Sequence, residues 1–230
     1  MLPWKELGHG DAPDGKVLVL RRRGDEFLIV ADGYDLMSSD DEGSSRTLAD
    51  LACAHLPTAS RVLVGGLGMG YTLRATLDTL GPQAHVDIAE LVPVVVEWNR
   101  EFLGALASHP LDDPRTALLL GDVRASIGQA SASYDAILLD VDNGPNALAH
   151  RQNDALYSRK GLSEIRNALR PRGVLGVWSF NDDEAFTRRL RQTGFSPTVH
   201  RVSASRRGRG RYHYIWVAPR SWDATQEGRP

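Results

Sequence analysis

The stretch RVLVGGLGMGYTLRATLDTLGPQAHVDIAE, residues 61–90, decides the fold. It opens on a short apolar run, turns through glycines, passes a helix-spaced segment and closes on a second apolar run ending in an acid. That order predicts strand, glycine turn, helix and strand. Gly66, Gly68 and Gly70 lack Cβ atoms, so the backbone can turn sharply and a ligand can lie against the peptide plane. The free N–H groups of the following helix are directed to the same place. Glu90 stands 20 residues after Gly70, where a carboxylate at a strand end can accept from both hydroxyls of a ribose. The segment predicts a nucleoside-like cofactor held by Gly65, Gly66, Gly68, Gly70 and Glu90.

Downstream, strands are expected at 85–89, 116–120, 135–139 and 174–178, with helices at 69–80, 93–106, 123–129 and 157–169. Such alternation predicts a parallel sheet with helices on both faces and ligand loops at the carboxyl ends of its strands. A helix over 182–192 and β-rich runs at 196–203 and 212–218 follow; the short glycine-arginine connection between the runs predicts an antiparallel pair. Acids recur at successive strand ends, Glu90, then Asp122, then Asp140 with Asp142. In a doubly wound sheet these ends line one crevice. Glu90 would hold the ribose. Asp122, with its neighbour Val123, would border the adenine and accept from its amino group. Asp140 would sit deeper, facing whatever reacts. Asp122 also stands where it can cap the helix starting at Val123, and a carboxylate has oxygens for both tasks.

Upstream, residues 16–33, KVLVLRRRGDEFLIVADG, place β-rich runs at 17–20 and 26–30 around Gly24-Asp25, which predicts a hairpin. A hairpin alone is marginal, so it must pack on the main domain as a lid or accessory element. The polar stretch 38–45 reads as a linker, and 47–56 as a helix closed by Pro57.

Composition narrows the classes. At 230 residues the chain suits one large domain, and 24% charged residues balance to a formal −2, giving no whole-molecule field for nucleic acid or an anionic membrane. The single cysteine, Cys53, lies in the apolar LADLACAHL and reads as core; one thiol makes neither an internal disulfide nor a cysteine metal cluster. The histidines show no zinc-site spacing, and no metal is expected. The N-terminus has no apolar signal-like region and no window of 18 apolar residues occurs, so a soluble cytoplasmic protein is expected. Arg201, Arg206, Arg207, Arg209 and Arg211 read as a solvated loop, while Tyr212, His213, Tyr214 and Trp216 read as packing residues of the last strand.

Several segments in order carry a family resemblance: Asp32-Gly33 after a hairpin, VLVGGLGMG, the acid of AELVP, DDPRTALLLGD, YDAILLD and LYSRKGLSEIRNALRPRGVLGV. The chain resembles the spermidine synthase family, within the class I S-adenosylmethionine-dependent methyltransferase fold, along nearly its full length. The resemblance implies an α/β Rossmann-like fold with a seven-stranded, mostly parallel sheet, a C-terminal antiparallel strand pair and a small N-terminal hairpin. Residues 1–45 would form the hairpin and linker, 46–220 the Rossmann-like transferase domain and 221–230 a frayed tail.

Two positions depart from the family pattern. Its glycine loop reads GGGDGG, with an aspartate for the cationic end of decarboxylated S-adenosylmethionine, where this chain has Gly68. Its DSxDP is here DVDNG, which keeps Asp140 but puts Asn143 in place of the second acid. The expectation is therefore S-adenosylmethionine-dependent methyl transfer to a small-molecule or peptide-like nucleophile. Asp140 would orient or deprotonate the acceptor, assisted by Asp142 or Tyr157. The alternatives are aminopropyl transfer to a diamine from decarboxylated S-adenosylmethionine, and a cofactor-binding regulatory protein without catalysis. The sequence allows a homodimer.

Overall fold

A computed structural model describes residues 2–141, 153–205 and 211–221. Four antiparallel strands open the chain: β1 (Lys5–Asp11), β2 (Val17–Arg23), β3 (Glu26–Ala31) and β4 (Tyr34–Ser38), paired in that order. The hairpin expected at 17–30 is thus the central pair of a larger sheet. Its inward residues Leu18, Leu20, Phe27 and Ile29 are buried in the main core.

The second sheet has seven strands in the order β10-β11-β9-β8-β5-β6-β7. Its members are β5 (Arg61–Gly65), β6 (His85–Glu90), β7 (Thr116–Leu120), β8 (Tyr134–Leu139), β9 (Leu169–Ser179), β10 (Thr198–Ser203) and β11 (Tyr212–Pro219). Strands β5 to β9 run parallel, while β11 is antiparallel to both β9 and β10. Helices α1 (Glu42–Cys53), α2 (Tyr71–Thr79), α3 (Pro93–Trp98), α4 (Val123–Gln129), α5 (Asn153–Leu156), α6 (Arg159–Ala168) and α7 (Glu184–Gln192) connect and cover them.

Both faces of the central strands are buried, which is why they read as unbroken apolar runs. Val62, Val64, Ala136 and Leu138 join the core beneath the N-terminal sheet, α1, α2 and α3; Leu63, Ile137 and Leu139 join the core under α6 and α7. The chain winds β5, β6, β7 outward, then returns to place β8 on the other side of β5. Such a reversal opens a crevice at the carboxyl ends of β5 and β8.

Two helices differ from expectation. Helix α1 starts at Glu42 rather than 47, since Asp41, Glu42 and the following serines suit a first helical turn, and Gly43 N donates to the Ala204 carbonyl (2.8 Å). The helix expected over 93–106 is regular only through Trp98; Asn99–Leu103 form a π turn and Gly104–Ala107 a 3₁₀ turn. The widened turn brings Asn99 Nδ2 onto the carbonyls of Gly68 (2.8 Å) and Val95 (2.9 Å). Cys53 is buried on α1, and burial pushes its thiol up to about 12. Among the described residues no helix is long and apolar enough to cross a membrane.

Candidate active site

The glycine turn after β5 forms the floor of the crevice. Gly66 has φ +90°, and a Cβ there would run into the backbone carbonyl oxygen of Asp140 at the end of β8, whose own N–H donates to Gly65 O (2.9 Å). Gly68 has φ +50° and lies under the Met37 thioether of β4, its Cβ position 2.9 Å from Sδ. Glycine at 66 and 68 lets the turn pack this closely on Asp140 and Met37 while both residues still border the cavity. Gly65 and Gly70 frame the turn without lining the crevice: Gly65 packs on Val123 and Leu139, and Gly70 starts α2 against Pro110 and Ala107.

Glu90 is 7% exposed, and its carboxylate accepts from the backbone N–H of Leu67 in the turn and of Val92, both at 2.8 Å. It couples β6 to the glycine turn while bordering the cavity. Gly121, Asp122 and Val123 border the same lobe beyond β7. Asp122 accepts from Arg124 N (2.8 Å), so it caps α4 and still faces the cavity. Glycine turn, Glu90, Asp122 and Val123 are therefore gathered as the order of strands demands. The roof comes from the N-terminal sheet: Leu18, Ile29, Ala31, Leu36 and Met37, with Lys16 and Asp14 of the β1–β2 connection ion-paired at 3.2 Å.

A second lobe adjoins the first. Leu36, Met37, Gly66, Gly68 and Asp140 border both. Asp140 thus stands at the junction, its Oδ2 receiving the hydroxyl of Thr72 from the first turn of α2. The second lobe is lined by Tyr71, Trp178 and Phe180 together with Asp41, Ser44 and His213. Trp178 Nε1 donates to Ser44 Oγ (3.0 Å), and Ser44 Oγ lies 2.8 Å from His213 Nδ1. The indole, Phe180 and the imidazole meet edge to face, with centroids 4.6 to 5.0 Å apart. None of Ser44, Trp178, Phe180 or His213 was expected at the site. Ser44 was assigned to a linker and His213 to packing, and no motif links residues brought together from α1, β9 and β11.

Tyr157 is placed elsewhere. Its ring is buried edge-on to Phe186 in the core beside α6 and α7, its carbonyl accepts from Arg189, and it lines neither lobe; Leu156 borders the crevice instead. The expectation that Tyr157 assists Asp140 is not carried forward. Asp142, Asn143, Arg206, Arg207, Arg209 and the tail from 222 lie outside the described residues. Of the arginine cluster, Arg201 stacks on the Tyr212 ring (3.6 Å) and Arg211 reaches Asp41 (3.3 Å).

His213 gives a pH signature. Burial, with Arg211 adding repulsion, pushes its imidazole down to about 4. The unfolded chain takes up this proton near pH 6.5 and the folded chain only near 4, so stability falls as pH drops between those values. Asp41, whose carboxyl burial raises, works in the opposite direction; Asp113, held to about 2 by Arg115, contributes only below about 4. Urea unfolding at pH 7 and pH 5 should show wild type losing about 2 kcal/mol more than His213→Gln over that interval. Equal losses would mean that His213 is not buried as a neutral ring.

Residues 42–183 match the Spermine/spermidine synthase domain. The chain belongs to the spermine/spermidine synthase family. The family's match begins at the first residue of α1 and ends just before α7, enclosing the glycine turn, Glu90, Asp122 and Asp140. Putrescine N-methyltransferase 2 of Nicotiana attenuata is 34% identical over 131 residues, 56% of this chain and 33% of that protein. Polyamine aminopropyltransferase 2 of Pseudomonas aeruginosa is 32% identical over 178 residues, 73% of this chain and 49% of that protein. The chain thus spans about a third to a half of these relatives. The crystal structure of spermidine synthase from Thermotoga maritima superposes with a TM-score of 0.76 at 19% identity, covering 98% of this chain and 76% of that one, a likeness of fold. Family and α/β architecture agree with the resemblance read from the sequence.

Proposed function

We propose that this chain is a class I transferase that moves the methyl group of S-adenosylmethionine to the nitrogen of a small amine. One observation carries the choice of methyl over aminopropyl: at the tip of the turn Gly68, under the Met37 thioether, stands where the family pattern has an aspartate. Such a site has lost an attraction for decarboxylated S-adenosylmethionine and a repulsion against the carboxylate of the intact cofactor. When bound, the sulfonium supplies an already activated carbon. The protein's part is placement. Glu90 receives the ribose hydroxyls, Asp122 the adenine amino group, and the roof of apolar residues keeps water out.

Asp140, at the junction of the lobes, orients the acceptor and takes the proton that an amine must lose before its lone pair can attack. As the nitrogen–carbon bond forms and the sulfur–carbon bond breaks, that proton leaves through the carboxylate to solvent. The second lobe, with three aromatic rings beside one end at Asp140, suits an amine on a short apolar chain.

Competitive titration of intact and decarboxylated cofactor tests the choice. Wild type should prefer the intact form. Gly68→Asp should weaken intact cofactor by about 1 to 2 kcal/mol and spare the decarboxylated form. An aspartate tolerates the left-handed backbone at this position better than most residues, and the Met37 side chain that it meets is flexible. Tighter binding of the decarboxylated form by wild type would overturn methyl transfer. Aminopropyl transfer, the activity in the names of the relatives from Pseudomonas aeruginosa and Hyperthermus butylicus, would then take its place.

A further inference from the structure

His213 is 2% exposed, borders the second lobe, and its Nε2 meets no hydrogen-bond partner among the described residues. The trio around it favours one placement of the ring proton. Trp178 Nε1 can only donate, so Ser44 Oγ accepts from it. The Ser44 hydroxyl proton then has His213 Nδ1 as its acceptor at 2.8 Å, which uses both the donor and an acceptor site of Ser44. The reverse arrangement, Nδ1–H toward Ser44, would leave the serine proton without that partner. The arrangement that engages the serine proton makes His213 a neutral ring with Nδ1 as acceptor and Nε2–H as donor. Its lowered proton affinity agrees with neutrality.

A buried donor without a partner is costly, and a ligand oxygen that accepts from it recovers the cost. An ammonium cannot do so, having only donors. The other acid of this lobe, Asp41, is engaged by the Arg211 guanidinium at 3.3 Å, which offsets the charge that a second ammonium would seek. Asp140 lies against the glycine turn at the boundary with the first lobe, whereas Asp41, Ser44 and His213 border the second lobe alone.

Resting on the transferase reading above, we infer that His213 selects an acceptor with an amine at one end, for Asp140, and a hydrogen-bond-accepting oxygen at the other, as in an amino alcohol, rather than a simple diamine. Trp178 and Ser44 act as positioning residues, holding the imidazole in the tautomer that presents Nε2–H. Trp178 and Phe180, edge-on to the ring, add apolar surface to the same lobe.

Three C4 probes decide this by calorimetry on protein saturated with S-adenosylhomocysteine: 4-aminobutan-1-ol, butane-1,4-diamine and butylamine. Wild type should bind the amino alcohol about tenfold more tightly than either of the others. His213→Phe keeps ring shape and removes the donor, and should reduce that gap to about twofold or less. His213→Gln keeps an N–H near the Nε2 position and should retain most of the gap. Affinity for S-adenosylhomocysteine, read in the same titrations, should be unchanged in both variants and reports an intact fold. Tightest binding of the diamine by wild type, binding of none of the three, or a gap that survives in His213→Phe would each overturn the inference. Turnover is scored separately: absence of both methyl and aminopropyl transfer to all three amines would overturn the transferase reading, while the order of affinities still judges His213.

Discussion

Asp140→Asn is expected to lower turnover about 10²-fold or more while leaving cofactor affinity within about twofold. The substitution keeps the shape of the side chain and an oxygen for the Thr72 hydroxyl, so the junction between the lobes should hold its geometry. The backbone N–H of residue 140 still donates to Gly65 O, which keeps the end of β8 seated beside the glycine turn. What is lost is the negative charge and the ability to accept a proton. An acceptor amine is charged at neutral pH, so without a nearby base it presents no lone pair to the activated carbon. Raising the pH toward the amine's own proton affinity should restore part of the rate in the variant, a signature that damaged folding would not produce. Steady-state rates across pH, paired with calorimetry on S-adenosylhomocysteine, measure both halves. Near-normal turnover on a verified substrate would reduce Asp140 to a residue that closes the turn after β8.

The parts of the fold legible in the sequence are those whose burial is symmetrical or whose ends are chemically marked. Strand 61–65 was expected where β5 lies, because a continuous apolar run suits a strand covered on both faces, and 116–120 where the half-buried edge strand β7 lies. Helix α4 was expected at its observed bounds because Asp122 caps it. Strand β1 gave no such signal. KELGHGD has no apolar alternation, and its extended form is fixed by tertiary contact. A Cβ on Gly10 would meet the Val94 side chain at 2.8 Å, and one on Gly8 would meet Trp98 Nε1 at 2.9 Å. The acids of the cofactor lobe were legible because each follows a strand at a fixed place in a doubly wound sheet. The second lobe was not, since Ser44 and His213 are 169 residues apart and meet only because β11 inserts between β9 and β10 against the start of α1. Tyr157 was expected to assist Asp140 from the start of the helix after the fourth-strand loop, yet its ring is turned into the core against Phe186.

Glu90→Ala should weaken S-adenosylhomocysteine binding about 10²-fold, at the upper end of what loss of ribose contacts alone would give. Charge-assisted hydrogen bonds to the ribose account for about 1 to 3 kcal/mol. The carboxylate also receives the N–H groups of Leu67 and Val92, and truncation leaves both donors in a buried site. Water entering the vacated space would satisfy part of that demand, so the sum stays near about 3 kcal/mol rather than the total of the separate penalties. Glu90→Gln is not a mild control. One end of the amide is itself a donor and would face either Leu67 N–H or Val92 N–H, so the glycine turn should loosen in this variant too. The two roles of Glu90 separate by measurement. A ribose ligand and turn brace together predict lower cofactor affinity and lower stability to urea in the ligand-free protein. Lower stability with unchanged affinity would mean that Glu90 only holds the turn to β6, and the ribose would then need another acceptor among the residues bordering the first lobe. Binding of adenosine, which keeps the ribose and drops the amino-acid tail, completes the test: it should weaken by the same factor as S-adenosylhomocysteine, because both ligands meet Glu90 through the same two hydroxyls.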